Sequence, residues 1–193
     1  MLLPRLIALL KADQTPELDG FFIVKLQVSR HSAQSVAGMH WRRFPGGLRG
    51  AVITHTFGDR LLRAVLLRPQ AGFSAKTESS ETMPIDLPVA IIRFSAAQVE
   101  NFIQESGDEN PNHRGESAVV PGLLMARTVE EILTENGQIL DEFEFYFIET
   151  TSLGQPVFLF RENKSRWAGR NEAGRRVFEL SISGESPASA ADA

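Results

Sequence analysis

The chain has 193 residues, a net charge of −4 and 42% hydrophobic residues, which is enough apolar content for one domain with a real core. It contains no cysteine, which excludes disulfides, thiolate catalysis, zinc ribbons and iron–sulfur clusters. No apolar run approaches the roughly 18 residues of a membrane span, and the opening "MLLPRLIALLKADQ" lacks a signal-peptide cleavage site. We therefore expect a cytoplasmic protein with no membrane partner.

Charge is distributed unevenly along the chain. Between residues 20 and 77, nine Lys or Arg stand against one acid, whereas between residues 78 and 149, fifteen acids stand against three arginines. The stretch "RENKSRWAGRNEAGRR" is basic again. Such separation either orients an anionic ligand or lets oppositely charged parts of the chain attract each other. We favour attraction, because in a compact domain it requires no partner.

The first half of the chain alternates strand-like runs with polar segments. Apolar residues at helical spacing predict an amphipathic helix within residues 2–10. "FFIVKLQVS" predicts a strand, and "RHSAQSVAG" a loop or short helix. "GAVITHTF" and "LLRAVLLRP" flank Gly58-Asp59-Arg60, which predicts a hairpin. A long polar connection, "QAGFSAKTESSETMPID", then leads into the strand-like "LPVAIIRFS".

The second half begins with a helix, "AAQVENFIQES", capped by Ser95. "GDENPNHRGES" is rich in Gly, Asn, Asp and Pro, so we expect an exposed loop in which His113 is solvated. Asn136-Gly137 predicts a two-residue turn between paired antiparallel strands. "DEFEFYFIE" alternates Phe with mostly polar residues, as a strand with one wet face does, and "PVFLF" and "RRVFELSIS" complete the sheet.

These elements predict a mostly β (α+β) fold, either an antiparallel β-barrel or a strongly bent antiparallel sheet of about seven or eight strands with two short helices. Residues 1–183 are expected to form a single globular domain. Residues 184–193 are expected to be a disordered tail, because "GESPASAADA" has no large apolar side chain to bury. We find no internal repeat of 20–50 residues.

Catalytic signatures are missing from the sequence. There is no G-x-x-x-x-G-K, G-x-G-x-x-G, H-E-x-x-H or G-x-S-x-G, so we assign no catalytic residue, no metal ligand and no cofactor. If its strand lines a cavity, His55 could join Asp59 and His40 in a metal or acid–base site, although a structural or solvent-facing histidine fits the pattern better. Glu142 and Glu144 share a strand face. Such a pair of carboxylates can act in acid–base catalysis, but it more commonly forms a charged, solvent-exposed sheet surface, which is the interpretation we favour.

Two loops combine arginine with tryptophan, and we call "HWRRFPGGLRG" and "KSRWAGRNEAGRR" the basic-aromatic loops. Aromatic rings of this kind stack on bases or anchor protein interfaces, and the cations meet phosphates. If both loops lie in one patch, charge reversal in either should weaken the same interaction. The candidate partner- or nucleic-acid-binding residues are Trp41, Arg42, Arg43, Phe44 and Arg49 in the first loop, and Lys164, Arg166, Trp167 and Arg170 in the second.

The leading hypothesis is a non-enzymatic interaction or assembly protein that binds a protein partner or a second copy of itself. It would use the basic-aromatic loops and the acidic sheet face, which carry opposite charge. The first alternative is a single-stranded nucleic-acid-binding protein that uses the same loops. The second is a small-ligand-binding or enzymatic β-barrel centred on His55.

Overall fold

A computed structural model describes residues 20–30, 37–68, 87–108, 110–115 and 117–183. Three sequence-based predictions lie outside these residues: the N-terminal helix, the long polar connection after residue 68, and the tail from residue 184 onward. Most of "RHSAQSVAG" also lies outside them.

The described residues form one antiparallel sheet of nine strands and two α-helices. The strands are β1 (Phe22–Arg30), β2 (Gly38–Arg43), β3 (Arg49–Phe57), β4 (Arg60–Leu67), β5 (Ala90–Ile92), β6 (Phe143–Phe147), β7 (Val157–Arg161), β8 (Arg166–Arg170) and β9 (Arg176–Ile182). The helices α1 (Ala96–Ser106) and α2 (Gly122–Glu135) both lie between β5 and β6. Neither of these two helices is long and apolar enough to cross a lipid bilayer.

The strand order is β2-β3-β4-β1-β6-β9-β8-β7-β5. The two outermost strands, β2 and β5, each pair with a single neighbour among the described residues, so the sheet is not closed. The prediction of a strongly bent antiparallel sheet with short helices is confirmed. The sheet has nine strands rather than seven or eight.

The core lies between the inner face of the sheet and the helices. In β6, Phe143 and Phe145 point inward and are 1% exposed, whereas Glu144 between them points outward, as the period of two in a strand requires. Helix α2 has helical spacing of apolar residues, and its buried hydrophobic residues Leu124, Met125, Ala126, Val129 and Leu133 belong to the same cluster as these phenylalanines. The helices are thereby fixed against one face of the sheet.

The predicted hairpin at Asn136-Gly137 is wrong. Asn136 is the C-cap of α2, and Gly137 follows with a φ of 76°. A positive φ is what Asn-Gly offers a hairpin, but glycine in this conformation ends a helix equally well. The competing signal was the four-residue spacing of Val129 and Leu133, both fully buried.

The connectivity of the sheet is duplicated about its centre. From β2 to β7, the order reads the same from either end when β1 is matched with β6, β2 with β7, β3 with β8 and β4 with β9. The central pair, β1 and β6, is itself antiparallel. The topology is therefore that of a two-fold pair of four-stranded units within one chain, although the sequence shows no repeat.

Ion pairs join the two units along this centre. Each pairs a cation of the basic first half with a carboxylate of the acidic second half: Lys25 with Glu144 at 2.9 Å, Arg30 with Glu142 at 3.0 Å and Arg60 with Asp141 at 2.9 Å. The charge separation of the sequence thus serves attraction within the molecule, and the acidic sheet face is occupied by internal partners.

Candidate active site

The two basic-aromatic loops do not form one patch. The β2–β3 turn lies beside the end of β4 and the start of β1, whereas the β7–β8 turn lies beside the end of β9. Followed through the register, these positions are opposite ends of the strands. Strands β4, β1, β6 and β9 also separate the two hairpins.

Two of the predicted binding residues are buried in the chain. Trp167 is 4% exposed and lies opposite Leu180 in the core. Arg170 is also 4% exposed, and its guanidinium donates a hydrogen bond to the carbonyl of Gly174 at 2.9 Å and lies 3.5 Å from Glu162. Neither side chain is available to stack on a base or bind a phosphate.

The aromatic residues of the first basic-aromatic loop are partly buried against the protein itself. The Trp41 ring meets the Phe21 ring edge-on, with 5.7 Å between centroids, and the Arg49 guanidinium lies 4.7 Å above Trp41. Such contacts are ordinary cation–π and aromatic packing. Phe44 is half-buried, whereas Arg42, Arg43, Lys164 and Arg166 are exposed.

A site centred on His55 is not assembled. His40 lies opposite Val52 in the β2–β3 register, and His55 lies three residues further along β3. Side chains three residues apart in a strand point to opposite faces, so His40 and His55 lie on different sides of the sheet. Asp59 is 81% exposed and lies 3.5 Å from Arg60. Within the described residues, no group of three or more His, Asp or Glu side chains is arranged to hold a metal ion.

A different pair of titratable residues, Asp108 and His113, comes together on the segment between α1 and α2. Helix α1 ends because Gly107 adopts the left-handed conformation at φ 66°, with its N–H donating to the Ile103 carbonyl. Asp108 follows immediately, and its backbone N–H donates to the Ser106 hydroxyl at 3.3 Å. The Asp108 carboxylate accepts a 2.9 Å hydrogen bond from the Asn110 backbone N–H. The end of α1 thus fixes the position of Asp108.

His113 is placed by one turn of 3-10 helix, Pro111–His113. Asn110 caps this turn, since its side-chain oxygen accepts from the Asn112 N–H at 3.1 Å, and Pro111 supplies a preset φ at the first position. The Asn110 amide nitrogen also donates to the Phe21 carbonyl at 2.9 Å, which ties the turn to the start of β1. His113 is consequently 7% exposed, and the prediction that it is merely solvated is wrong.

The two side chains face each other. His113 Nε2 lies 3.5 Å from Asp108 Oδ2, and His113 Nδ1 lies 2.7 Å from the Val119 carbonyl oxygen. Because a carbonyl only accepts, Nδ1 must carry a hydrogen. Nε2 is therefore the nitrogen that exchanges a proton, and it is directed at the carboxylate. A separation of 3.5 Å is too long for a strong direct hydrogen bond, so both atoms can serve a third group.

Asp108 and His113 line a cleft of about 440 Å³. This volume is within the roughly 300–1,000 Å³ of small-molecule sites. Its apolar wall consists of Ala96, Val99, Ile103, Ala118 and Leu153, and its polar side chains are Glu100, Gln104, Asp108, His113 and Arg114. Polar and apolar side chains thus line the cleft in equal number, and they can contact both the polar and the apolar parts of a small organic molecule.

The signal that locates this site lies in "GDENPNH". Its high turn content predicted exposure, but Asn-Pro is also a strong start for a short helix. One helical turn after the cap brings the residue at position 113 back towards position 108. An acid and a histidine on the two sides of an Asn-Pro cap were therefore a pattern that sequence reasoning missed.

No protein-family model matches the sequence, and no curated protein matches it. Several solved structures, however, are similar to this chain in fold. HtdX from Mycobacterium tuberculosis aligns with a TM-score of 0.63 at 16% identity, over 95% of this chain and 85% of that one. A MaoC-like dehydratase from Phytophthora capsici aligns with a TM-score of 0.54 at 13% identity, over 90% of this chain and 75% of that one. Peroxisomal multifunctional enzyme type 2 from Drosophila melanogaster aligns with a TM-score of 0.51 at 17% identity, over 94% of this chain and 40% of that one.

At these identities the likeness establishes the fold, which is hot-dog-like: a long bent antiparallel sheet with helices on one face. The hypothesis of a non-enzymatic interaction or assembly protein is wrong, because the fold is shared with proteins named as a dehydratase and as a multifunctional enzyme. The nucleic-acid-binding alternative is contradicted by the same likenesses. The alternative of a small-ligand-binding or enzymatic fold fits better.

Proposed function

We propose that this chain is a dehydratase that catalyses the reversible loss of water from a β-hydroxy carbonyl compound. The observation that carries the proposal is the pairing of Asp108 Oδ2 with His113 Nε2 at 3.5 Å on the wall of the cleft. The fold likeness to a MaoC-like dehydratase supports the same reaction class. Fold alone does not fix function, so the argument depends on the geometry of the pair.

The reaction needs an acid and a base that are close together. A base removes the proton on the carbon next to the carbonyl, the electron pair forms the new carbon–carbon double bond, and hydroxide leaves from the neighbouring carbon with a proton from the acid. The two carbons are bonded to each other, so the two catalytic groups must lie within a few ångströms. A carboxylate oxygen and an imidazole nitrogen 3.5 Å apart meet this requirement.

The hydrogen bonds around the pair assign the roles. The Asn110 N–H donates to Oδ1 of Asp108, which leaves Oδ2 to exchange a proton with the substrate. The Val119 carbonyl holds Nδ1–H of His113, which leaves Nε2 as the second atom that can exchange a proton. Asp108 Oδ2 therefore accepts the carbon-bound proton, and His113 Nε2 gives its proton to the leaving hydroxide. In the hydration direction the same two proton transfers run in reverse.

The cleft walls suit this chemistry. Ala96, Val99, Ile103, Ala118 and Leu153 offer apolar contact to an aliphatic chain, and the His113 ring is largely removed from bulk water, at 7% exposed. Charge that develops on the substrate is then less screened than in water.

Substitution of Asp108 and His113 tests the proposed reaction. Asp108→Asn keeps an oxygen for the Asn110 N–H, and His113→Asn keeps a donor for the Val119 carbonyl, yet neither can exchange the proton. We expect each to lower kcat for hydration of a 2-butenoyl-N-acetylcysteamine thioester by about 10²- to 10⁴-fold, measured as loss of the enoyl absorbance. Asp59→Asn and His40→Asn are the matched controls and should leave kcat unchanged. A wild-type protein without activity, or paired-residue variants within twofold of it, would refute the proposal.

Self-association is the second part of this proposal, and we infer that it occurs through β5. This edge strand exposes Ile91 at 56%, and the adjoining Val89 and Leu87 are 44% and 90% exposed. The opposite edge, β2, presents exposed histidine and arginine side chains instead, and charged edges resist pairing. A second copy that adds its own β5 would cover the apolar edge and continue the sheet.

Sedimentation velocity tests this arrangement. The 21.4 kDa chain should sediment as a dimer, and Ile91→Lys should dissociate it, because a lysine on the edge strand must be buried or repelled. Ile139→Lys is the control, since Ile139 is equally exposed, at 58%, but lies away from the sheet edge. A monomeric wild-type protein would contradict the inference.

A further inference from the structure

Arg114 stands beside the catalytic pair, and its guanidinium has no side-chain partner within the part of the chain that the structure describes. It follows His113 directly, it lines the same cleft, and its side chain is exposed. Its backbone N–H donates to the Pro111 carbonyl at 3.2 Å, so the base of the side chain is fixed by the 3-10 turn. Among the described residues, no side chain forms an ion pair or hydrogen bond with its guanidinium.

The isolation of Arg114 contrasts with its neighbours in the acidic part of the chain. Arg127 is 2.8 Å from the Glu105 carboxylate, and Arg93 donates to the Gly154 carbonyl at 3.0 Å. Arg114 is the third arginine among fifteen acids between residues 78 and 149. Among the residues that the structure describes, no carboxylate partner accounts for the presence of this arginine at the cleft.

The two carboxylates in the cleft do not neutralise Arg114. Asp108 is engaged by His113 and by the Asn110 N–H. Glu100 accepts a hydrogen bond from Gln104 at 3.2 Å. The residue that follows His113 in the lining of the cleft therefore carries a planar guanidinium with five N–H donors.

We propose that Arg114 is a specificity-determining residue that binds an anionic group of the substrate. The inference rests on the proposed dehydratase function and deepens it: the substrate is a β-hydroxy carbonyl compound that carries a second, negatively charged group. A carboxylate and a phosphate both match the fork of a guanidinium. Arg114 does not take part in the proton transfers, so its contribution is to binding and orientation.

One neutral and two anionic substrate probes separate anion binding from the proton transfers in steady-state hydration assays. The neutral probe is the 2-butenoyl-N-acetylcysteamine thioester. The first anionic probe replaces the acyl group by a 2-pentenedioyl group with a free carboxylate, and the second carries a phosphate on the thiol arm, as 2-butenoyl phosphopantetheine. The variants are Arg114→Gln, Arg114→Lys and, as the control, Arg166→Gln, which removes another exposed arginine outside the cleft.

We expect Arg114→Gln to lower kcat/KM for one anionic probe by about 10- to 100-fold, mainly through KM, because a charge-assisted hydrogen bond is lost. The neutral probe should change by less than twofold. Arg114→Lys should retain part of the preference, and Arg166→Gln should match wild type. Which anionic probe responds identifies the carboxylate or the phosphate as the bound group.

The failure of this inference differs from the failure of the proposed function. If wild type hydrates the neutral probe but neither anionic probe responds to Arg114→Gln, the specificity role is refuted and the dehydratase remains. An equal loss on all three probes, with unchanged thermal stability, also overturns the specificity role. If wild type hydrates no probe, both proposals fall together.

Discussion

At the scale of single residues, Lys25, Glu144 and Tyr146 form a cluster at the centre of the sheet. Lys25 Nζ lies 2.9 Å from Glu144 and 4.6 Å above the Tyr146 ring, and the Tyr146 hydroxyl donates to Glu144 at 2.9 Å. The hydrogen bond from Lys25, helped by that from Tyr146, holds the pKa of Glu144 below its usual value, against the opposing effect of burial. Burial also works to lower the pKa of Lys25, but its bonds to Tyr146 and Glu144 outweigh burial and raise it.

The pH dependence follows from these directions. A lowered carboxyl pKa contributes stability above the unfolded value of about 4.5, and this stability is lost as pH falls through the folded pKa. The raised pKa of Lys25 contributes below about 10.5 and is lost as pH rises beyond it. We expect Glu144→Gln to reduce the free energy of unfolding by about 0.5–1 kcal/mol at pH 7, since the pair is partly exposed. The difference from wild type should vanish near pH 2, measured by urea denaturation. Glu172→Gln, in an exposed turn, should show no such pH-dependent difference.

At the scale of elements, the end of α1 fixes the position of Asp108, one of the two residues of the proposed site. Gly107 terminates the helix in the left-handed conformation, and Asp108 is the next residue. Any change that lets α1 continue or fray displaces the carboxylate relative to His113, whose own position is held from Asn110 and Val119. Helix α2 also ends close to a glycine at positive φ, since Gly137 at φ 76° follows the C-cap Asn136, but this end lies far along the chain from Asp108 and His113.

This parallel between the helices provides a matched experiment. Gly107→Ala and Gly137→Ala each place a side chain at positive φ, so both should cost about 1 kcal/mol of stability, read as similar drops in melting temperature. Only Gly107→Ala should also lower kcat in the hydration assay, by tenfold or more, because small misplacements of a catalytic group are costly. Equal activity in the two variants would show that the cap does not position Asp108.

The elements also show where sequence reasoning succeeds. Strand β6 was predictable because Phe143, Phe145 and Phe147 repeat every two residues. The Ser95 cap of α1 was predictable because serine is a preferred N-cap residue, and the structure shows Ser95 in a capping box with Gln98. The hairpin predicted at Asn136-Gly137 was wrong because a glycine at positive φ is found both in hairpin turns and at helix ends. The solvation predicted for His113 was wrong because composition does not reveal the local hydrogen bonds that Asp108, Asn110 and His113 form.

At the scale of the whole molecule, the partners of each strand were beyond the sequence. Period-two patterns identify strands but not their neighbours, so neither the central pairing of β1 with β6 nor the duplicated connectivity could be predicted. The basic-aromatic loops illustrate the point. Their similar composition suggested a common surface, whereas four strands separate the two hairpins and the register places the β2–β3 and β7–β8 turns at opposite ends of the strands. The Asp108–His113 site, by contrast, is local in sequence and was within reach of it.

The duplicated connectivity has a consequence for how the molecule can vary. In a homodimer with the same arrangement, each substitution would occur twice, and a basic unit would face another basic unit across the central strands. A single chain escapes this constraint. It can place Lys25 and Arg30 on one side and Glu144 and Glu142 on the other, and it can carry "GDENPNH" once, ahead of β6 only. The two units of one chain can therefore differ at positions where the subunits of a homodimer would have to be identical.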